Sequence, residues 1–156
     1  MTEDARFEDG RERPLNLGAE DGEDLKVIAA LTQDAVLEAK DVSWRPKERR
    51  LALLVNRFRW EDRGMERHGP ERVRSLLVIE NVLKVASQGI DPKDREMVLS
   101  LLSIDFEADA EPPSGAVLLT FAGDGALRLS VEALDVSLKD VTRPYRAPSG
   151  KVPSHE

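Results

Sequence analysis

The chain has 156 residues, of which 40% are apolar, 34% charged and 4% aromatic, with no cysteine and only two histidines, His68 and His155. That length suits one domain, and the missing cysteine excludes disulfides, thiolate metal sites and thiol nucleophiles. Lys and Arg number 23 against 30 Asp and Glu, a formal charge of −7, which points to an acidic soluble globular protein rather than a membrane or fibrous one.

Residues 1–13 carry charge but no apolar run of the kind a secretory signal needs, and they are expected to form an acidic disordered tail. Residues 143–156 are expected to form a second tail, which leaves a single globular domain over 14–142. The longest aliphatic run, Leu51 to Val55, is far too short to cross a bilayer. A cytoplasmic location with no membrane partner is therefore expected.

In chain order, Leu15 and Leu17 form a short alternating segment. Leu25, Ile28, Ala29, Thr32 and Ala35 then recur at helical spacing behind Asp21, Glu23 and Asp24, which favours a principal helix over 21–34 capped by Asp21. Residues 36–44 and 50–60 read as strands joined through Arg45-Pro46-Lys47-Glu48, which makes a hairpin. Residues 61–71 hold Gly64, Gly69 and Pro70 among charges and read as an exposed loop, followed by a third strand over 72–86.

Asp91 with Pro92 behind it predicts a short second helix whose buried side is Met97, Val98 and Leu101. Strands over 102–107, 116–121 and 126–133 complete the domain, the last two joined by Ala122-Gly123-Asp124-Gly125. This inventory predicts an α+β fold that is mainly antiparallel β. Its six-stranded meander curls into a roll or partly open barrel, of a pleckstrin-homology-like kind, with one principal N-terminal helix and one short helix.

Several strands are apolar on both faces. In the third, Leu77, Ile79, Leu83 and Val85 share one face while Leu76, Val78 and Val82 lie opposite. A strand of that kind needs a second cover beyond the core. Either the helix or a second subunit is expected to supply it, and Leu76, Val78 and Val82 are the expected contact for a protein partner or a second copy of the chain.

The stretches 24–37 (DLKVIAALTQDAVL), 54–62 (LVNRFRWED), 76–91 (LLVIENVLKVASQGID) and 115–134 (GAVLLTFAGDGALRLSVEAL) follow one another in an order that resembles the family catalogued as domain of unknown function 2948. The resemblance implies a small single-domain bacterial protein and brings no catalytic residue or cofactor with it. It covers the predicted domain and leaves out residues 1–13 and the tail after Val141.

Charge is unevenly distributed: nine acids face three bases in 1–24 and eleven face four in 91–140, while 45–74 holds ten Lys/Arg against five acids. Within that basic segment, Arg57 and Arg59 share a strand face and Arg72 and Arg74 return along the next strand. Four guanidiniums walled by Trp60 would suit a small anionic or phosphorylated ligand. The competing reading is an ion network in which Glu61, Asp62, Glu66 and Glu71 neutralise Arg57, Arg59, Arg63, Arg67, Arg72 and Arg74.

Asn56 and Asn81 fall in apolar strands, where a buried amide needs partners. His68 sits in the charged loop without a Ser or Asp at triad spacing. Gly123-Asp124-Gly125 lies between strands and lacks the Lys-Ser/Thr of a phosphate loop, so it reads as a hairpin turn. Asp105, Glu107, Asp109 and Glu111 match no calcium loop and read as a solvated edge. No metal site, cofactor or catalytic set is assigned. Nucleic acid is disfavoured by the acidic charge, the few aromatics and the lack of a recognition helix. The function expected is a non-enzymatic cytoplasmic module for protein contact or homodimerisation, with the anionic ligand at the arginine cluster as the alternative.

Overall fold

The computed structural model describes residues 14–61, 70–146 and 153. It is a mostly antiparallel β structure with one α-helix. Its strands are β1 (Asn16–Ala19), β2 (Val36–Glu38), β3 (Val42–Arg45), β4 (Arg50–Phe58), β5 (Glu71–Ile79), β6 (Val82–Gln88), β7 (Val98–Ala108), β8 (Gly115–Phe121), β9 (Ala126–Val131), β10 (Val136–Asp140) and β11 (Tyr145–Arg146). They pair in the order β1-β10-β5-β4-β2-β7-β8-β9-β6, with β3 alongside β4 and β11 alongside β5. β1 and β6 are the two ends and do not pair, so the sheet is curled but open.

Helix α1 (Gly22–Leu31) begins at Asp21, whose carboxylate accepts from the Asp24 amide at 2.8 Å, and Glu23 and Asp24 lie in its first turn. It buries Leu25 and Ile28 and packs against β1, β7 and β10, so it spans the opening between one end of the sheet and its middle. Thr32 ends it by donating back to the Ile28 carbonyl. The core gathers the inward residues of both halves of the sheet, including Leu51, Leu53, Leu77, Ile79, Leu119, Phe121, Leu129 and Leu138.

Five expectations need correction. The described residues form eleven strands and one α-helix, not six and two. The second helix predicted after Asp91 is a run of turns over 91–97, because Leu99 and Leu101 alternate into β7 and leave too few residues for a helix; Val98 is 65% exposed. The predicted strand 36–44 is divided by a 3-10 turn at Ala39–Asp41, where Glu38 and Asp41 each accept the other's backbone N–H in a capping box. The meander is also broken, since β10 lies between β1 and β5 and β2 between β4 and β7, while β6 pairs with β9.

The fifth lies in the third predicted strand and moves a candidate contact residue into the core. The predicted strand 72–86 is two strands, because Asn81 adopts a left-handed φ of 61° and the next amide, Val82 N–H, donates to the Arg49 carbonyl. The added conformation reverses which parity faces inward. Leu77 and Ile79 point into the core before the break and Val82 after it, whereas Leu83 is 51% exposed. Val82, at 1% exposure, is therefore a core residue and does not join Leu76 and Val78 on an outer strip.

The hairpin β3–β4 forms as expected, with Arg49 in the left-handed region after the Pro46–Glu48 turn. The β8–β9 hairpin likewise turns through Gly123 and Asp124, both at positive φ. Strand pairing reaches Tyr145 and Arg146, which pair with Arg72 and Glu71 beyond the expected domain limit.

Candidate functional site

The register of β4 on β5 sets Arg57 opposite Val73, Asn56 opposite Arg74 and Phe58 opposite Arg72. Since facing residues share a side of the sheet, Arg57 lies on the inward side with Leu53 and Val55. Arg72 and Arg74 lie on the outward side with Leu54 and Leu76. The four guanidiniums therefore do not converge on one surface, and the structure divides the predicted cluster in two.

The inward part is a buried ion cluster. The Arg57 guanidinium, fully buried, donates to both Glu61 carboxylate oxygens at 2.9 Å, to Asp140 Oδ1 at 3.0 Å and, through Nε, to Ser75 Oγ at 2.9 Å. Ser75 Oγ in turn donates to Asp140 Oδ1 at 2.7 Å, and the Leu15 amide donates to Asp140 Oδ2 at 2.9 Å. Beside it, the buried Arg59 donates to Glu71 Oε1 at 2.6 Å and lies 3.7 Å from Glu61 Oε2. Trp60 stacks edge-on against Phe58, with centroids 4.7 Å apart, and donates its indole N–H to the Gln33 carbonyl.

The competing expectation thus holds for Glu61 and Glu71, although the network is interior rather than superficial. Asp62, Arg63, Glu66, Arg67 and His68 lie outside the described residues.

Burial works against charge on Arg57, but the hydrogen bonds and charges of Glu61 and Asp140 more than offset it and raise its pKa. Burial likewise pushes the Glu61 carboxyl up, and the Arg57 hydrogen bond and charge outweigh that and hold it below the ordinary carboxylate range. A folded pKa below the unfolded value stabilises the fold above the unfolded pKa, and that contribution is lost as pH falls through the folded value. Melting curves recorded from neutral pH into the acid range are expected to show a smaller acid-induced drop for Glu61→Gln than for wild type. An identical drop would mean that Glu61 is not coupled to Arg57.

Two members of the cluster, Ser75 and Asp140, were not among the predicted site residues. Asp140 had a signal, because it follows Val136 and Leu138 at period two and so places an acid at an inward position of β10.

The outward part is different. The Arg72 guanidinium donates to the Asn56 carbonyl and Oδ1 at 3.1 and 3.3 Å, and Asn56 Nδ2 donates to the Tyr145 hydroxyl. Asn56 is therefore satisfied by its neighbours. Asn81 uses its amide to reach the Ala133 carbonyl at 3.4 Å.

Arg74 is exposed, and its guanidinium has no hydrogen bond or ion pair to a described residue. Arg74 and Asn56 line a cleft of about 390 Å³ between β2 and the β4–β5 pair, together with Val36, Glu38, Leu54 and Val98. Next to the cleft run Leu76 and Val78, half-buried but outside the core cluster. The elements most extensively in contact with β5, namely β4, β10 and β11, all lie beside it in the sheet rather than over its outward face.

An open, curled antiparallel sheet, with a buried ion cluster on its inward side and apolar residues on the outward face of β4 and β5, defines a β scaffold with one helical cover. The chain belongs to the family described as Protein of unknown function (DUF2948), whose model matches residues 15–155. That match runs past Val141, where the sequence resemblance had been drawn to stop. Among curated proteins and solved structures, none matches the chain.

Proposed function

We propose that this protein is a non-enzymatic cytoplasmic module that self-associates through the outward face of β5 and β4. The observation that carries this reading is the strip Ala52, Leu54, Leu76 and Val78, which is apolar, half-buried and outside the core cluster. The curled sheet with a helix over its opening supports a roll of pleckstrin-homology type, an analogy of fold that brings no function with it.

The charges flanking the strip favour a second copy as the occupant. Across the outward face, Lys139 on β10 lies beside Leu76, while β2 on the far side of β4 presents Glu38, followed by Asp41. A two-fold axis lying along the strands between β4 and β5 brings β10 of one copy over β2 of the other. It then sets Lys139 against Glu38, Leu76 against Leu54 and Val78 against Ala52. One rotation thus matches apolar with apolar and base with acid, as an isologous contact requires.

Sedimentation equilibrium tests the reading. Wild type is expected to sediment as a dimer and Leu76→Glu as a monomer with an unchanged circular dichroism spectrum. A monomeric wild type across the accessible concentration range would overturn it.

A further inference from the structure

We propose that the cleft between β2 and the β4–β5 pair is a binding site for a small oxyanion, carboxylate or phosphate monoester, that carries an apolar body. The polar groups that line it are, Arg74 aside, already engaged within the chain. Glu38 accepts the Asp41 backbone N–H and lies 3.3 Å from Lys40 Nζ, and Asp41 Oδ2 accepts the Glu38 amide at 3.0 Å. The Asn56 amide is filled by Arg72 and Tyr145. Each of these side chains already has a partner within the chain.

Arg74 is the exception, a planar fork of donors with no described partner at the rim of the cleft. A guanidinium fork matches the paired oxygens of a carboxylate or phosphate. The apolar side chains on the cleft's side of the sheet are Val36, Leu54 and Val98, of which Val36 is 36% and Val98 65% exposed, while Leu37 and Val55 border it with their side chains turned into the core. A volume of about 390 Å³ falls within the range of small-ligand sites. An inorganic ion would leave those walls wet, whereas an alkyl chain would cover them while its head group meets Arg74. The ligand class is therefore amphipathic and anionic.

Because the cleft shares Leu54 with the proposed contact between copies, binding is measured on the Leu76→Glu chain as well as on wild type, so that self-association and ligand binding are read separately. Calorimetric titration with octanoate, octyl phosphate and octyltrimethylammonium is the test. Either anion, or both, is expected to bind, with the pair distinguishing carboxylate from phosphate, and the ammonium is expected not to. Arg74→Gln, at an exposed position, is expected to weaken anion binding by about tenfold or more. The proposal is overturned if neither anion binds, if the ammonium binds as well as the anions, or if Arg74→Gln binds as wild type does. Failure of self-association alone leaves these readouts intact.

Discussion

Asp140→Ala is expected to lower the unfolding free energy by about 3–5 kcal/mol, the cost of breaking a buried ion pair by removing one partner. Asp140 meets the Arg57 guanidinium, the Ser75 hydroxyl and the Leu15 amide, which together join β10, β4, β5 and the chain entering β1. Its loss leaves a fully buried guanidinium with Glu61 as its remaining carboxylate and orphans two further donors. The comparison is Arg50→Ala, which breaks an exposed pair with Glu80 at 3.0 Å and is expected to cost no more than about 1 kcal/mol. Urea denaturation of the two variants beside wild type decides the matter. Equal losses would mean that the interior cluster contributes no more than a surface ion pair and would reopen Arg57 as a ligand group.

Val82→Asp and Val78→Asp are expected to separate just as sharply. Sequence alternation alone puts both residues on one outward strip, but the left-handed turn at Asn81 sends Val82 into the core at 1% exposure and leaves Val78 at the surface. Val82→Asp buries a carboxylate among Leu129, Val131 and other apolar residues of the core cluster and is expected to cost about 3 kcal/mol or more. Val78→Asp is expected to cost less than about 1 kcal/mol and to abolish self-association. Thermal melting and sedimentation of both variants check the pair of outcomes; a stable Val82→Asp would contradict the break between β5 and β6.

These cases show what period and composition reveal. The principal helix with its Asp21 cap, the β3–β4 hairpin and the Gly123-Asp124 turn were readable because each depends on residues close in the chain. β5 and β6 read as one strand because Glu80-Asn81 interrupts the apolar run by only two residues, although Asn81 is of a type that tolerates the left-handed region. β2 and β3 were merged for a similar reason, the capping box of Glu38 and Asp41 resembling a polar interval in an ordinary strand. The arginines were recognised as a group, but their division between two faces depends on the register Arg57↔Val73, a long-range property. Asp140 lies 83 residues from Arg57, so the cluster that satisfies it could not be assembled from local pattern.

The outward face carries the functional reading, and the absence of cysteine allows a direct examination of it. The two-fold arrangement sets Val78 of one copy over Ala52 of the other. Mixing Ala52→Cys protein with Val78→Cys protein under mild oxidation is therefore expected to give a covalent heterodimer, formed much faster than in a mixture of Ala52→Cys with Leu83→Cys, whose cysteine lies exposed on β6. Cross-linking at the same rate in both mixtures would contradict self-association through β4 and β5.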